Sequence, residues 1–270
     1  MLTLLSVNKD LSFMGRFKRN KIKLTYDTLQ GADIRCIECV LRHKDSCWRR
    51  IRKLCGEESE NVLCGEHLEL PRDVNITRFA GDELRSRLSL NMAIEILKLC
   101  SETGKAVTVS VYDPDGRIAD GVYAMLKFTD TVNVVTNRTE LYSAEAERIM
   151  AEQGAVLRVS RRMKSLSSSH LIVAPLALRT QLPCEKTAVI LSTLPPLVSQ
   201  KCALYYKYYF ESGEEFKKFT SEGFDAEYLA SALYSLCGRF DLGSLVPQAT
   251  KGVGVSHTLI SLVKYLINIA

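Results

Sequence analysis

The stretch KAVTVSVYDPDGRIADG (residues 105–121) decides the fold. An apolar, β-branched run, Ala106–Tyr112, stops at Asp113-Pro114-Asp115-Gly116, and a short helical segment follows to Phe128. β-Branched side chains suit strands, whereas Asp, Pro and Gly suit turns, so the boundary is sharp. The pattern repeats downstream. Val132–Thr136 reads as a second strand, Glu140–Gln153 as a helix stopped by Gly154, and Val156–Ser160 as a third strand. His170–Ala174 and Thr187–Ser192 read as two more. Short apolar strands alternating with amphipathic helices predict an α/β fold with an open, mostly parallel sheet.

Toward the N-terminus, Leu84, Leu88, Met92, Ile96 and Leu99 keep helical spacing and predict a helix over Asp82–Cys100. Residues 56–76 read as a polar, Glu-rich connection. Leu2–Val7, Leu11–Phe17 and Lys21–Tyr26 read as short strands, and a helix is expected from Asp33, as N-cap, to Leu54, with a break around His43–Asp45 and Gly56 just beyond its end. Toward the C-terminus, the tyrosine-rich run Cys202–Phe210 suits core packing, with base stacking on RNA as the functional alternative. A helix over 225–237 is capped by Asp225 and closed by Gly238. A last helix is expected from Ser256, with Gly252-Val-Gly254 as the loop leading into it. The organisation this predicts is a basic, Cys-rich α+β appendage over residues 1–74 and a Rossmann-like domain with C-terminal helices over 75–270.

A 270-residue chain that is 46% hydrophobic and 25% charged is an ordinary globular composition. No apolar run approaches the ~18 residues of a membrane span. Met1–Val7 has no basic leader, so no signal peptide is expected and a cytoplasmic location follows by default. Residues 1–55 carry 13 Lys/Arg against 5 Asp/Glu, and the rest 23 against 26, giving +5 in all. The basic third is either a solvated face or a surface for an anionic partner such as nucleic acid. Of nine cysteines, five lie between Cys36 and Cys64. Cys36-x-x-Cys39 with Cys47 is half of a zinc pattern, but no second C-x-x-C or paired His completes it, and buried free thiols are the plainer reading.

Ligands of such sheets sit at the carboxyl ends of the strands. Those ends carry Asp113–Gly116, Thr136-Asn137-Arg138, Ser160-Arg161-Arg162 and Ala174-Pro175. The segment Val134-Val-Thr-Asn-Arg-Thr139, with the helix and Gly154-Ala155 after it, resembles the Rossmann domains of the shikimate dehydrogenase and glutamyl-tRNA reductase families. That resemblance implies NAD or NADP as cofactor, with Gly116, Gly121, Thr136 and Asn137 lining the site and Arg138 beside the adenosine ribose, where a guanidinium pairs with a 2′-phosphate. The first turn departs from the family, having Asp113 and Asp115 where a glycine-rich loop admits pyrophosphate. Val109–Gly116 also resembles the first motif of haloacid dehalogenase-like phosphatases. That resemblance implies Asp113 as nucleophile, Asp115 as acid/base, Thr136 as phosphate contact and Lys164 as the charge-offsetting lysine. A plain β-turn explains Asp113–Gly116 equally well.

The function expected from the sequence is therefore a cytoplasmic Rossmann-like protein with a degenerate nucleotide- or dinucleotide-type site, related to NAD(P)-dependent oxidoreductases. A non-catalytic protein that uses its basic, Cys-rich segment for an anionic partner and a haloacid dehalogenase-like phosphatase are the alternatives.

Overall fold

The computed structural model describes residues 1–9, 20–41, 47–221 and 224–270. In chain order its elements begin with β1 (Leu2–Lys9), β2 (Lys21–Leu29), β3 (Ala32–Leu41), α1 (Trp48–Cys55) and β4 (Val62–Cys64). Then come α2 (Glu83–Glu102), β5 (Val109–Tyr112), α3 (Ala119–Val122), β6 (Thr131–Val135), α4 (Glu140–Gln153) and β7 (Val156–Ser160). The rest are β8 (Leu171–Ala174), β9 (Val189–Ser192), β10 (Ala203–Tyr209), α5 (Glu214–Ser221), α6 (Ala226–Cys237), β11 (Ala249–Gly252), β12 (Ser256–Thr258) and α7 (Leu259–Ile269). They divide into two compact units, residues 1–81 with 212–240, and 82–211 with 241–270. The segment 212–240, which sequence alone groups with the α/β core, clusters with the N-terminal residues.

The first unit holds a four-stranded sheet in the order β2-β3-β1-β4, with β1 parallel to both neighbours and β2 antiparallel to β3. Here the expected helix from Asp33 is corrected: residues 32–41 are the strand β3. Gln30 (φ 50°) and Gly31 (φ 78°) form a two-residue turn with both φ angles positive, which matches strand twist and closes a β2–β3 hairpin. β3 lies between two strands, so Ile34, Cys36, Ile37, Cys39 and Leu41 are all buried, and a run buried on both faces has no clean alternation to distinguish it from a helix. On a strand, residues three apart point to opposite faces, so Cys36 and Cys39 are not a shared chelating edge. Cys39 instead meets Cys47, sulfur to sulfur at 3.8 Å, in a core with Trp48, Ile51 and Cys55. Among the described residues no three His, Cys, Asp or Glu side chains converge as a metal site. Part of the basic charge turns inward: Arg35 donates to the carbonyls of Leu54 and Cys55 and to Glu58, and Arg52 to Gly56, quenching the exposed carbonyls that end α1. α6 begins as the sequence predicts, with the Asp225 carboxylate accepting from the Glu227 N–H at 2.9 Å, and ends at left-handed Gly238. The expected strand over residues 11–17 and the break at 43–45 lie outside the described residues.

The second unit is built on an eight-stranded sheet, β12-β11-β10-β9-β8-β5-β6-β7. From β7 to β10 every pairing is parallel. Counted from β5, the order is 3-2-1-4-5-6, the doubly wound Rossmann order, so the expected fold class stands. An antiparallel hairpin, β11–β12, extends it beyond β10. The long helix α2 lies against β8, β9, β10 and α7. The connections over 175–188 and 193–202 bring Leu178 and Leu182 onto Ile172, Ala174, Ile190 and Leu204. Tyr205 and Tyr208 are core residues, and the Tyr208 hydroxyl donates to the Ser192 carbonyl at 2.6 Å. Gly252-Val-Gly254 is a strand end and hairpin turn: a Cβ on Gly252 would sit 1.8 Å from the Leu204 carbonyl oxygen, and Gly254 turns the chain at φ 73°. Ser256–Thr258 is thus β12, and α7 starts one residue later than its cap Thr258, whose hydroxyl accepts from the Ser261 N–H. Among the described residues no helix is long and apolar enough to cross a membrane.

Candidate functional site

The strand order sets the site. It reverses between β5 and β8, and the carboxyl ends of β5, β6 and β7 meet at one edge beside that crevice. A concavity of about 470 Å³ opens at the opposite edge, among Lys105, Thr108, Lys127 and Asp130 at the amino ends of β5 and β6. Fold geometry places ligands at the other end of such strands, so the carboxyl edge is the candidate site.

Asp113, the first residue past β5, is fully buried. Its Oδ1 accepts from the Arg117 N–H at 2.9 Å, and its Oδ2 from the Ile118 N–H at 3.0 Å and the Tyr142 hydroxyl at 2.7 Å. Burial, then the Asp113 carboxylate, push the Tyr142 phenol far above its ordinary range, so it remains a donor. The Gly116 N–H returns to the Asp113 carbonyl, and the Asn137 N–H donates to the Pro114 carbonyl, tying the turn to the β6 loop. Asp113–Gly116 is thus a β-turn whose first side chain also occupies the loop's own N–H groups. In dinucleotide-binding domains the N–H groups opening this helix cradle pyrophosphate. Here two of them, on Arg117 and Ile118, already hold a carboxylate.

The glycines add to this. Gly116 has φ 76°, which glycine adopts without strain, but the space a Cβ would take lies 2.4 Å from Leu141 Cδ1. The room that glycine leaves for an approaching phosphate is filled by α4. Gly121 faces away from the edge toward α2, where a Cβ would sit 2.0 Å from Leu90 Cδ2; its role is close helix packing. Asp115 is exposed and lies 3.9 Å from Arg117, which is itself paired with Asp82 at 2.9 Å. The residues present do not fit a pyrophosphate in the standard mode.

The rim at β6 and β7 differs. Thr136 is buried, and its hydroxyl accepts from the Arg138 N–H at 3.0 Å. Ser160 repeats the device at the end of β7, its hydroxyl accepting from the Arg162 N–H at 3.0 Å. Each hydroxyl folds its strand end into a tight turn that leaves the following arginine outside. Asn137, Arg138, Arg161, Arg162 and Lys164 are all exposed. Arg138 is 55% exposed and bonds Glu140 at 2.5 Å; that bond, with the α4 backbone and the Arg138 and Arg161 charges, holds Glu140 below the usual carboxylate range. The arrangement is an exposed cationic rim on fixed turns, suited to an anion that can exchange with Glu140.

Sequence reading thus brings Gly116, Thr136, Asn137 and Arg138 to one edge with Asp113, and leaves Gly121 facing α2. It misses Tyr142 and Leu141, which fill the cradle from α4. The available signal was a tyrosine on the inward face of that helix, since a buried phenol needs a polar partner. His170 takes a structural place, its Nδ1 3.1 Å from the Thr108 hydroxyl, and so does His257, whose Nδ1 lies 2.7 Å from the Tyr205 hydroxyl.

No protein-family model and no curated protein matches this chain. Among solved structures, L-tryptophan dehydrogenase from Nostoc punctiforme aligns over 99% of this chain and 78% of its own, at 10% identity and a TM-score of 0.32. An archaeal alanine dehydrogenase dimer with bound NAD aligns over 69% of this chain and 66% of its own, at 10% identity and a TM-score of 0.29. At these scores the fold assignment rests on the strand order.

Proposed function

We propose that this chain is a degenerate nucleotide-binding protein of the Rossmann-like class, which engages the adenosine phosphate end of an NADP-type ligand and does not seat its pyrophosphate. One observation carries the reading: Asp113 accepts from the very N–H groups that would bind pyrophosphate, while Arg138 stands exposed on the β6 turn. In this reading Thr136 fixes the turn, Asn137 and Arg138 meet the ribose and its 2′-phosphate, and Glu140 gives up Arg138 when the phosphate arrives. The ligand keeps a foothold on the fold, and hydride transfer in the usual geometry loses its support. The phosphatase reading gains nothing from the geometry, because a carboxylate nucleophile needs an accessible oxygen and both oxygens of Asp113 are engaged in the interior.

Calorimetric titration with adenosine 2′,5′-bisphosphate, ADP-ribose, NAD and NADP tests it. The expected order is bisphosphate and NADP together, both ahead of NAD and ADP-ribose. Arg138→Ala should weaken the first two by about 10–100-fold, the worth of a charge-assisted bond. NADP binding a hundredfold tighter than the bisphosphate would mean that the loop opens to seat pyrophosphate, and would favour a working oxidoreductase. Absence of binding by all four would sink the nucleotide reading.

A further inference from the structure

Two half-buried cysteines of the α/β unit have no part in the site above. Cys184 precedes β9 and Cys202 precedes β10, in two irregular connections that pack on Ile172, Ile190 and Leu204 of the sheet. Their sulfurs are 3.3 Å apart. The connections are already laced together beside them: the Leu182 N–H donates to Gln200 Oε1, and Gln200 Nε2 donates to the carbonyls of Thr180 and Val198. The Gln181 amide reaches the Ser199 carbonyl. This lattice fixes both backbones, so the two thiols are held in contact rather than meeting by chance.

We propose that Cys184 and Cys202 form a reversible redox-modification site, oxidised by a low-molecular-weight disulfide of the glutathione class to an intramolecular disulfide that staples the two connections. The sulfurs need to close from 3.3 Å to the ~2.05 Å of a covalent bond, a movement within side-chain rotation. The Cys184 thiolate attacks one sulfur of the small disulfide and expels one thiolate, leaving Cys184 in a mixed disulfide. Cys202, deprotonated in turn, attacks the Cys184 sulfur and expels the second small thiolate. Two protein thiols lose two electrons and two protons, and one small disulfide becomes two small thiols. The electrostatics suit this order: the Cys202 S–H bond to it, aided by the nearby Lys201, holds Cys184 below the ordinary thiol range, while the same bond and burial hold Cys202 above it. Cys39 and Cys47, at 3.8 Å but buried in the other unit, serve as an internal control that an aqueous oxidant does not reach.

The test is peptide mapping of the folded full chain after equilibration with oxidised and reduced glutathione. Trypsin releases Thr180–Lys186 with Cys184 and Cys202–Lys207 with Cys202. The expected product is these two peptides joined, two hydrogens lighter than their sum, and restored by dithiothreitol. Oxidation should raise the melting transition by about 6–12 °C, from loop closure over the 18-residue separation, and this rise should vanish in both Cys184→Ser and Cys202→Ser. Glutathione adducts that persist separately on the two cysteines, or recovery of both thiols unmodified, would overturn the proposal in the wild-type protein whatever the variants do.

Discussion

Asp113→Ala is the sharpest perturbation available, because one carboxylate satisfies three donors. Two of the three, the Ile118 N–H and the Tyr142 hydroxyl, are buried and would lose their acceptor; the Arg117 N–H lies nearer the surface and can turn to water. A buried donor left without a partner costs about 1–3 kcal/mol, and a bond to a charged acceptor stands toward the upper end. Release of a buried carboxylate offsets part of this. The net expectation is a loss of about 3–5 kcal/mol in urea unfolding, or some 6–20 °C for a unit of this size. Asp113→Asn should lose only about 1–2 kcal/mol: its oxygen can serve Ile118 and Tyr142, and its amide then opposes only the Arg117 N–H. Formate supplies the missing carboxylate as a free molecule. At tenfold its Kd it should return about 1.4 kcal/mol to Asp113→Ala and nothing to the wild type. An alanine variant within about 1 kcal/mol of wild type, or equal stabilisation of both proteins by formate, would refute the idea that the loop's N–H groups are held by this side chain.

Other expectations concern the rest of the chain. Gly252→Ala should lose at least about 2 kcal/mol in thermal unfolding, since its Cβ would meet the fixed Leu204 carbonyl, whereas Gly254→Ala, with open space at φ 73°, should lose about 1 kcal/mol. Cys55 and Cys100 have thiols pushed up to about 11 by burial, against 9.0 unburied. The unfolded chain therefore releases these protons first, so stability is fully present below pH 9 and falls as pH rises toward 11. Melting curves between pH 8 and 11 should show this fall, and Cys100→Ala should flatten it. Asp225→Ala removes the N-cap of α6 and should cost about 1 kcal/mol by chemical denaturation.

The α/β core was legible because its signals are local. β-Branched runs end at Asp-Pro-Asp-Gly and Thr-Asn-Arg, the α4 helix ends at Gly154, and each marks a boundary within a residue or three of the observed one. The N-terminal unit was less legible because its pairings are long-range. Residues 33–41 satisfy helical spacing and strand burial alike; what selects the strand is that β1 and β2 pair on either side of it, and that a Gln-Gly turn, less familiar than Asn-Gly, closes the hairpin. The site divides in the same way. Sequence located the edge and its arginine, because strand ends and turn residues are local. It could not see that Tyr142 closes on Asp113 and Leu141 on Gly116, since those contacts join α4 to a loop 25–29 residues earlier.

The hairpin beyond β10 has a consequence for assembly. An open parallel sheet ends in two rows of unpaired backbone groups, and those rows invite strand addition from another chain. Here one margin is the three-residue β12, with exposed Ser256 and Thr258, and the other is the five-residue β7, with exposed Arg158 at its middle. Both margins are short, and one carries a charge where a second strand would have to lie. Without β11 and β12 the margin would be β10, seven residues long and rich in tyrosine, a far better template for pairing between copies. The hairpin thus acts as a selvedge, keeping Tyr205 and Tyr208 of β10 as core and its backbone from being an adhesive edge.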